Sequence, residues 1–406
     1  MTRPLSHIRV LDLTRVLAGP WAAQNLADLG AEVIKIERPG SGDDTRAWGP
    51  PWWRDRDGKE TRESAYFLSV NRGKKSVTLD LSRPEGQAIA RRLAENSDVL
   101  IENYKVGTLA RYGLGYDDIR AVNPRIVYCS VTGFGQDGPH AARPGYDFIF
   151  QGMGGLMSIT GEREGRPGGG PQKVGIAITD VLTGMYASLA ITAALSARDR
   201  SGEGQYIDTA LLDTIVAFGA NQILSYWCTG NVPPRFGNAH ANIVPYEAFA
   251  TSDGHIILAV GNDSQFASFC RVAGRPELID DPRFRTNPDR VKHREVLVPM
   301  VQEIMRGRTK QAWIEALEAG GVPCGPINNY AEVFEHEQVR HRGLRVDIPH
   351  PQGTVPTVAS PMRFSATPVE YDLPPPLLGQ HTREVLGGVL GLSAAELDAL
   401  AARGIT

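Results

Sequence analysis

The segment Val174–Gly184, VGIAITDVLTG, carries one carboxylate, Asp180, between two apolar stretches. Burying a charge is costly unless it is paired or put to use. One reading of Asp180 follows from the string: it caps a helix by accepting hydrogen bonds from the first free amides. Whether it does more is left open by the string. A second set of residues suggests what it would act on. Arg15, Arg38, Asn103 and Tyr104 follow apolar runs, with Arg111 shortly after, and Arg72, Lys74 and Lys75 lead into another run. Ligands of open α/β sheets collect at the carboxyl ends of the strands. Cations spaced along such an edge suit a long ligand with separate phosphates, because guanidinium grips phosphate in a fork. Each charge alone reads as a solvated loop residue; their joint placement is the signal.

The elements that would hold these residues alternate. IRVLDL (8–13) reads as a buried strand, PWAAQNLADLG as a helix opened by Pro20 and closed by Gly30, and AEVIKIE (31–37) as a second strand. This βαβ unit is followed by SVTLDL, the helix SRPEGQAIARRLAENS and DVLIEN, with Ser82 and Glu85 spaced as a capping box. RIVYCSVTG (125–133), VGIAITD and GQYIDTALL (204–212) add strands, and a long apolar helix starts beyond Asp180. The pattern predicts an α/β protein: a large Rossmann-like open parallel-sheet domain over 1–215, with both faces covered. Residues 216–243, which include TGNVPPRFGNAHAN, read as a linker or loop. A smaller α+β domain is expected over 244–328, with one strand region and short amphipathic helices. Residues 329–406 read as a linker and a C-terminal segment returning to the large domain. The glycine clusters GMGGLM (152–157) and RPGGGPQ (166–172) permit close backbone approach to a ligand or mark a plain loop.

Composition narrows the function classes. The chain has 406 residues and a formal net charge of -3, which argues against a dedicated nucleic-acid binder. MTRPLSHIRV lacks the cationic-then-apolar pattern of a secretion signal, and no uninterrupted apolar run approaches membrane-spanning length. The four scattered cysteines, without CxxC spacing, suit reduced thiols in a cytoplasmic protein. The first strand–helix turn, TRVLAGPWAA, holds Gly19 but no GxGxxG, and the Walker, HExxH and GxSxG patterns are missing. Dinucleotide, P-loop, metal-dependent and α/β-hydrolase chemistries are disfavoured, and no metal site is expected.

The blocks RVLDLTRVLAGPWAAQNLADLGAEVIKIERPGSGDDTR, NRGKKSVTLDL, IENYKVGTLARYGLGYDDI, SVTGFGQDGP…GYD, VGIAITDVLTGMYA, VPCGPINN and PPPLLGQHT resemble the class III CoA-transferases, in order and over nearly the whole chain. Within that family the resemblance is nearest to the succinyl-CoA:glutarate (dicarboxylate) CoA-transferases, on RFGNAHANIVPYEAF and GDDTRAWGPP.

The resemblance implies an enzyme with Asp180 as the catalytic carboxylate, passing through a mixed anhydride and an aspartyl-CoA thioester. It needs no permanently bound cofactor, since CoA and acyl-CoA are substrates, and a carboxylic acid is the other. The family's contacts to CoA carry over onto Arg15, Val16, Leu17, Ala18, Arg38, Leu79, Asn103, Tyr104 and Arg111. Tyr146 matches an active-site tyrosine and Tyr66 a second one. For the distal carboxylate of a dicarboxylic acid the candidates are Arg72 first, then Arg46 and His240. The resemblance also implies a homodimer of interlocked, elongated, ring-like subunits, with no nucleic acid and no membrane as partner. Departures exist. A formyl-CoA transferase relative has His at Arg15 and Gln at Leu17, and the loss of that amide argues against oxalate as acceptor; it also has a basic residue at Ser82, so the phosphate grip is not identical. The α-methylacyl-CoA racemases of the same fold read GHD where this chain reads GYD, and tyrosine is a poor base near neutrality. A non-catalytic acyl-CoA binder would have no use for Asp180.

Overall fold

The computed structural model describes residues 3–406. The chain forms two compact units, the first running to Leu156 and resuming over Val174–Asn221 and Arg340–Thr406, the second made of Met157–Lys173 and Gln222–Val339.

In the first unit, β1 (Arg9–Asp12), β2 (Glu32–Glu37), β3 (Lys74–Thr78), β4 (Val99–Glu102), β5 (Val127–Thr132) and β6 (Tyr206–Ala210) form one sheet in the order β3-β2-β1-β4-β5-β6. All five pairings are parallel. Side chains alternate across the pleat. Val10, Val33, Val99 and Val127 enter one core, and Leu11, Ile34, Leu100 and Tyr128 the other. Helix α1 (Ala18–Asp28), α2 (Pro84–Glu95), α3 (Asp147–Met153), α4 (Ile178–Ser201) and α5 (Leu211–Phe218) follow in chain order. The first core is closed by α1, α3, α4 and α5, and the second by α2 with the C-terminal helices Thr382–Leu390 and Ala394–Ala402. Strand order reverses between β1 and β4, so the loops leaving those two strands diverge and leave a crevice at their carboxyl ends.

The second unit holds β7 (Tyr246–Ala250), β8 (His255–Ala259) and β9 (Cys324–Pro326) in an antiparallel sheet of order β9-β8-β7. Helices Asp263–Val272, Arg294–Arg306 and Lys310–Ala319 supply a core with Phe249, Phe266, Phe269 and Trp313. The single strand region expected there is three strands. Met157–Lys173, which contains the second glycine cluster, belongs to this unit.

Four local expectations are corrected. Residues 174–177 are irregular rather than a strand, because both edges of β5 are already taken by β4 and β6. Ser82 does not cap α2: its amide and hydroxyl both bond Asp80 Oδ1, and the helix starts at Pro84. The expected 216–243 linker is helical to Thr229, since Leu211, Thr214 and Ile215 keep helical spacing and Ala220–Thr229 forms a further helix. Finally, α4 spans 24 residues and is apolar and long enough, by length and composition alone, to cross a membrane. Thr183, Ala187, Ile191 and Leu195 explain the composition differently: they are buried, in part against α1 and the sheet.

Candidate active site

The loop leaving β1 is the first component. Val16 has φ of 71°, in the left-handed region that a β-branched residue rarely adopts. Such strain persists only where the surroundings over-determine it, and here they do. Arg15 N donates to Asn103 Oδ1 at 3.0 Å and Asn103 Nδ2 donates to Arg15 O at 2.7 Å. Val16 N donates to Asp43 Oδ1 at 3.2 Å, and Lys35 Nζ donates to Thr14 O at 2.8 Å. The loop leaving β4 is also pinned. Tyr104 N donates to Glu102 Oε2 at 2.7 Å, while Ser130 Oγ donates to Oε1; burial pushes the Glu102 carboxyl up to about 7.

Two cavities open between these loops. One of about 250 Å³ is lined by residues 15–18, Asn103, Tyr104, Tyr146 and Asp180. The other, of about 540 Å³, is lined by Arg15, Arg38, Leu79, Ser82, Tyr104 and Tyr112. Arg15 and Tyr104 belong to both walls. The Arg15 guanidinium stands 5.6 Å from the Tyr104 ring centre and pairs with Asp44 at 2.9 Å. Arg38, exposed at the end of β2, forms no ion pair among the described residues.

Asp180 is the third residue of α4, and it does not cap the helix. That part is taken by Asp147 of α3, whose Oδ1 accepts the Thr179 amide at 2.8 Å. Burial, and then the Asp147 charge, push the Asp180 carboxyl up to about 7. Helix α4 comes this close to the Val16–Ala18 backbone because Gly184 lacks a side chain: a Cβ there would lie 2.5 Å from Ala18 O. Tyr66 packs edge-on against Trp48 at 5.1 Å, and its hydroxyl is pushed up to about 12 by burial and by the Asp180 and Asp147 charges. Tyr146, at the start of α3, is 64% exposed and faces the smaller cavity.

The structure therefore gathers Asp180, Tyr146, Arg15, Val16, Leu17, Ala18, Asn103 and Tyr104 around one cavity and Arg38 and Leu79 around its neighbour. Arg111 is exposed at the end of a four-residue helix, donates to Thr108 Oγ1 at 3.3 Å and lines neither cavity. Arg72 is corrected. It precedes β3 and so lies at the amino edge of the sheet, buried in a bidentate pair with Asp28 at 2.6 and 2.9 Å. Arg46 is corrected too: it is buried, with Glu37, Glu63 and Pro376 O taking all three of its nitrogens. Lys74 and Lys75 likewise pair with Asp12 and with Glu32 and Glu384. His240 belongs to the second unit, where Nδ1 accepts the Asn242 amide and the ring packs on Tyr246. Asp147, Asp43 and Glu102 were missed. Only Asp147 had a cue, its place beside Tyr146 in GYD.

A carboxylate that titrates near neutrality, beside an elongated crevice with cations on its walls, is equipped to attack an activated acyl group of a long anionic substrate. No metal-ligating group of three or more His, Cys, Asp or Glu exists among the described residues. Residues 5–382 match the family described as CoA-transferase family III. The chain is 51% identical to a succinate–glutarate CoA-transferase of Agrobacterium fabrum, over 94% of this chain and 95% of that one. It is 45% identical to a succinyl-CoA:glutarate CoA-transferase of Mus musculus, over 99% and 90%. A CaiB/BaiF family protein from Brucella suis superposes with a TM-score of 0.84 at 45% identity, covering 96% of this chain and all of that one. With a cleft of this chemistry and likeness along nearly its full length, the chain belongs to CoA-transferase family III and is an enzyme of that family.

Proposed function

We propose that the enzyme moves CoA from succinyl-CoA to a dicarboxylic acid such as glutarate, with Asp180 as the covalent carrier. The observation that carries this is the position of Asp180: on the wall of a cavity, with no lysine or arginine bonded to it among the described residues, and basic for a carboxyl group. In this reading the nucleotide end of CoA lies along Arg38 and Leu79, the chain passes Arg15 and Tyr104, and the thioester reaches Asp180 beside Tyr146.

The chemistry balances without a redox or metal partner. An Asp180 oxygen attacks the donor carbonyl, the C–S bond breaks, and CoA leaves as thiolate from a mixed anhydride. The thiolate attacks the aspartyl carbonyl, expelling succinate and leaving an Asp180–CoA thioester. The acceptor carboxylate attacks that thioester and releases thiolate again. The thiolate then takes the acceptor's acyl group and restores the Asp180 carboxylate. Each hard exchange is divided into easier ones. With Arg72 and Arg46 held in internal ion pairs, the cations left to meet a distal carboxylate in this cavity are Arg15, Lys105 and Arg143.

The homodimer implied by the resemblance is also part of the proposal. Phe148, Ile149, Met153, Met185 and Leu189 are exposed on α3 and α4, and a second copy would cover such apolar surface.

The test is mass spectrometry of the enzyme incubated with succinyl-CoA and no acceptor, alongside a panel of mono- and dicarboxylates. CoA should appear on the peptide containing Asp180. Asp180→Asn should carry none and lose turnover by about a thousandfold or more. An adduct on another peptide, or exchange confined to monocarboxylates, contradicts the reading.

A further inference from the structure

We infer that Asp147 is a positioning residue for the transfer reaction: with Gln151 it clamps the entry of α4, fixing where Asp180 points. This rests on Asp180 being the carrier. The geometry comes from two side chains one helical turn apart on α3. Asp147 is only 9% exposed and Gln151 fully buried. Asp147 Oδ1 accepts the Thr179 amide at 2.8 Å, and Oδ2 accepts from Gln151 Nε2 at 2.7 Å. Gln151 Oε1 accepts the Val174 amide at 2.8 Å, and its Nε2 reaches Ile176 O at 3.4 Å.

These bonds fall on the irregular 174–177 stretch and on the residue before Asp180. That stretch has no strand beside it, so α3 side chains satisfy backbone groups that a ladder would otherwise satisfy. A nucleophile displaced by 1 Å loses about a hundredfold in rate, so the clamp acts on the reaction through Asp180 without touching substrate.

The role has an electrostatic half as well. The charged and titratable groups around Asp180 are Asp147 and Tyr146 from α3, Tyr66, and Arg15, Asp44, Lys105 and Arg143 around the cavity. Arg15 is paired with Asp44. After burial, the charge that raises the Asp180 carboxyl is that of Asp147. A more basic carboxylate is a stronger nucleophile toward a thioester.

The experiment compares wild type, Asp147→Asn, Asp147→Glu and Gln151→Leu by kcat, KM for succinyl-CoA and the pH dependence of kcat/KM. Asp147→Asn should move the acidic limb down by about one pH unit and lower kcat about tenfold at pH 8, with KM within about twofold. Gln151→Leu should lower kcat about tenfold while leaving the limb in place, because the charge remains. Asp147→Glu should likewise keep the limb. An unmoved limb in Asp147→Asn overturns the electrostatic half, and an unchanged kcat in Gln151→Leu overturns the clamp. If Asp147→Asn does not fold, a limb that falls in Asp147→Glu overturns the electrostatic half and a limb that stays supports it. Wild-type CoA labelling at Asp180 separates the two levels. Its absence removes the proposed function itself, whereas its presence with normal variant kinetics removes only the role of Asp147.

Discussion

The first unit contains two groups of inward-facing acids that are treated in opposite ways. In one, Asp43 meets Lys35 at 2.8 Å, and Arg46 meets Glu37 and Glu63, each at 2.8 Å. Burial would push these carboxyls up, but Lys35 holds Asp43 down to about 2, and Arg46 and Lys35 hold Glu37 below the ordinary range. In the other group, Asp147 and Asp180 have no lysine or arginine bonded to either among the described residues, and burial, then the Asp147 charge, raise Asp180 to about 7. Burial opposes the charged form in both groups. Lys35 and Arg46 hold Asp43 and Glu37 ionised, although the same Arg46 does not keep burial from raising Glu63; Asp180 has no bonded cation and is left able to gain and lose a proton, as reactive acids are. The locked group is still tied to function, because Asp43 and Lys35 hold the strained Val16 loop from behind.

The largest effect that probes this contrast is on the locked side. Arg46→Leu removes the partner of two buried acids and leaves them uncompensated. It should destabilise the protein by about 3–5 kcal/mol in denaturant unfolding. The relative rates with different acceptor acids should not change, because Arg46 does not reach the cavity. A small loss, or a switch in acid preference, would show that the cluster is not the closed structural unit its geometry describes.

A smaller effect is expected at the contact that brings the reactive side together. In Gly184→Ala the new Cβ meets Ala18 O at 2.5 Å and Trp21 Cβ at 2.9 Å, both too close. Helices α1 and α4 must part, at a cost of about 1–3 kcal/mol. The same movement widens the gap between Asp180 and the Val16–Ala18 backbone, so kcat should fall about tenfold. Stopped-flow rates of adduct formation beside thermal melts check both, and normal kcat in a destabilised variant would confine Gly184 to packing.

The sheet was legible because each strand is a short apolar run bounded by turn residues, and the helices between them follow the expected period. Asp180 was legible as an acid among apolar residues, although the strand drawn in front of it is not there: an apolar run cannot say whether a free sheet edge exists to receive it. The cations were harder to read. Arg15 and Arg38 follow strands and do face the crevice, whereas Arg72 precedes one and lies at the other edge. Direction along the strand was the available cue. Nothing local marks Arg46 as internal, because Glu63 and Pro376 reach it from distant parts of the sequence. Asp147 escaped despite its place beside Tyr146 in GYD, since its bond to Thr179 spans 32 positions.

The smallest effect is the most direct measure of the contrast, because it reads the reactive acid through stability alone. Asp180 holds its proton more tightly folded than unfolded, since its carboxyl is raised from the ordinary Asp value to about 7. Between those two values the folded state binds more protons, so stability falls as pH rises through the window, and the penalty is complete above about 7. Asn at this position does not titrate. At pH 4 to 4.5 Asp180→Asn and wild type should be nearly equal, because the native wild-type carboxyl is protonated there. At pH 8 the variant should be more stable by about 1–2 kcal/mol, allowing for the half-buried, partly solvent-screened position. A locked acid must give the opposite sign: neutralising Asp43 removes an ion pair present above about 2, so Asp43→Asn should lose stability at pH 8. Equal signs for the two substitutions at pH 8 would erase the distinction between the clusters, and with it the physical reason for placing the chemistry at Asp180.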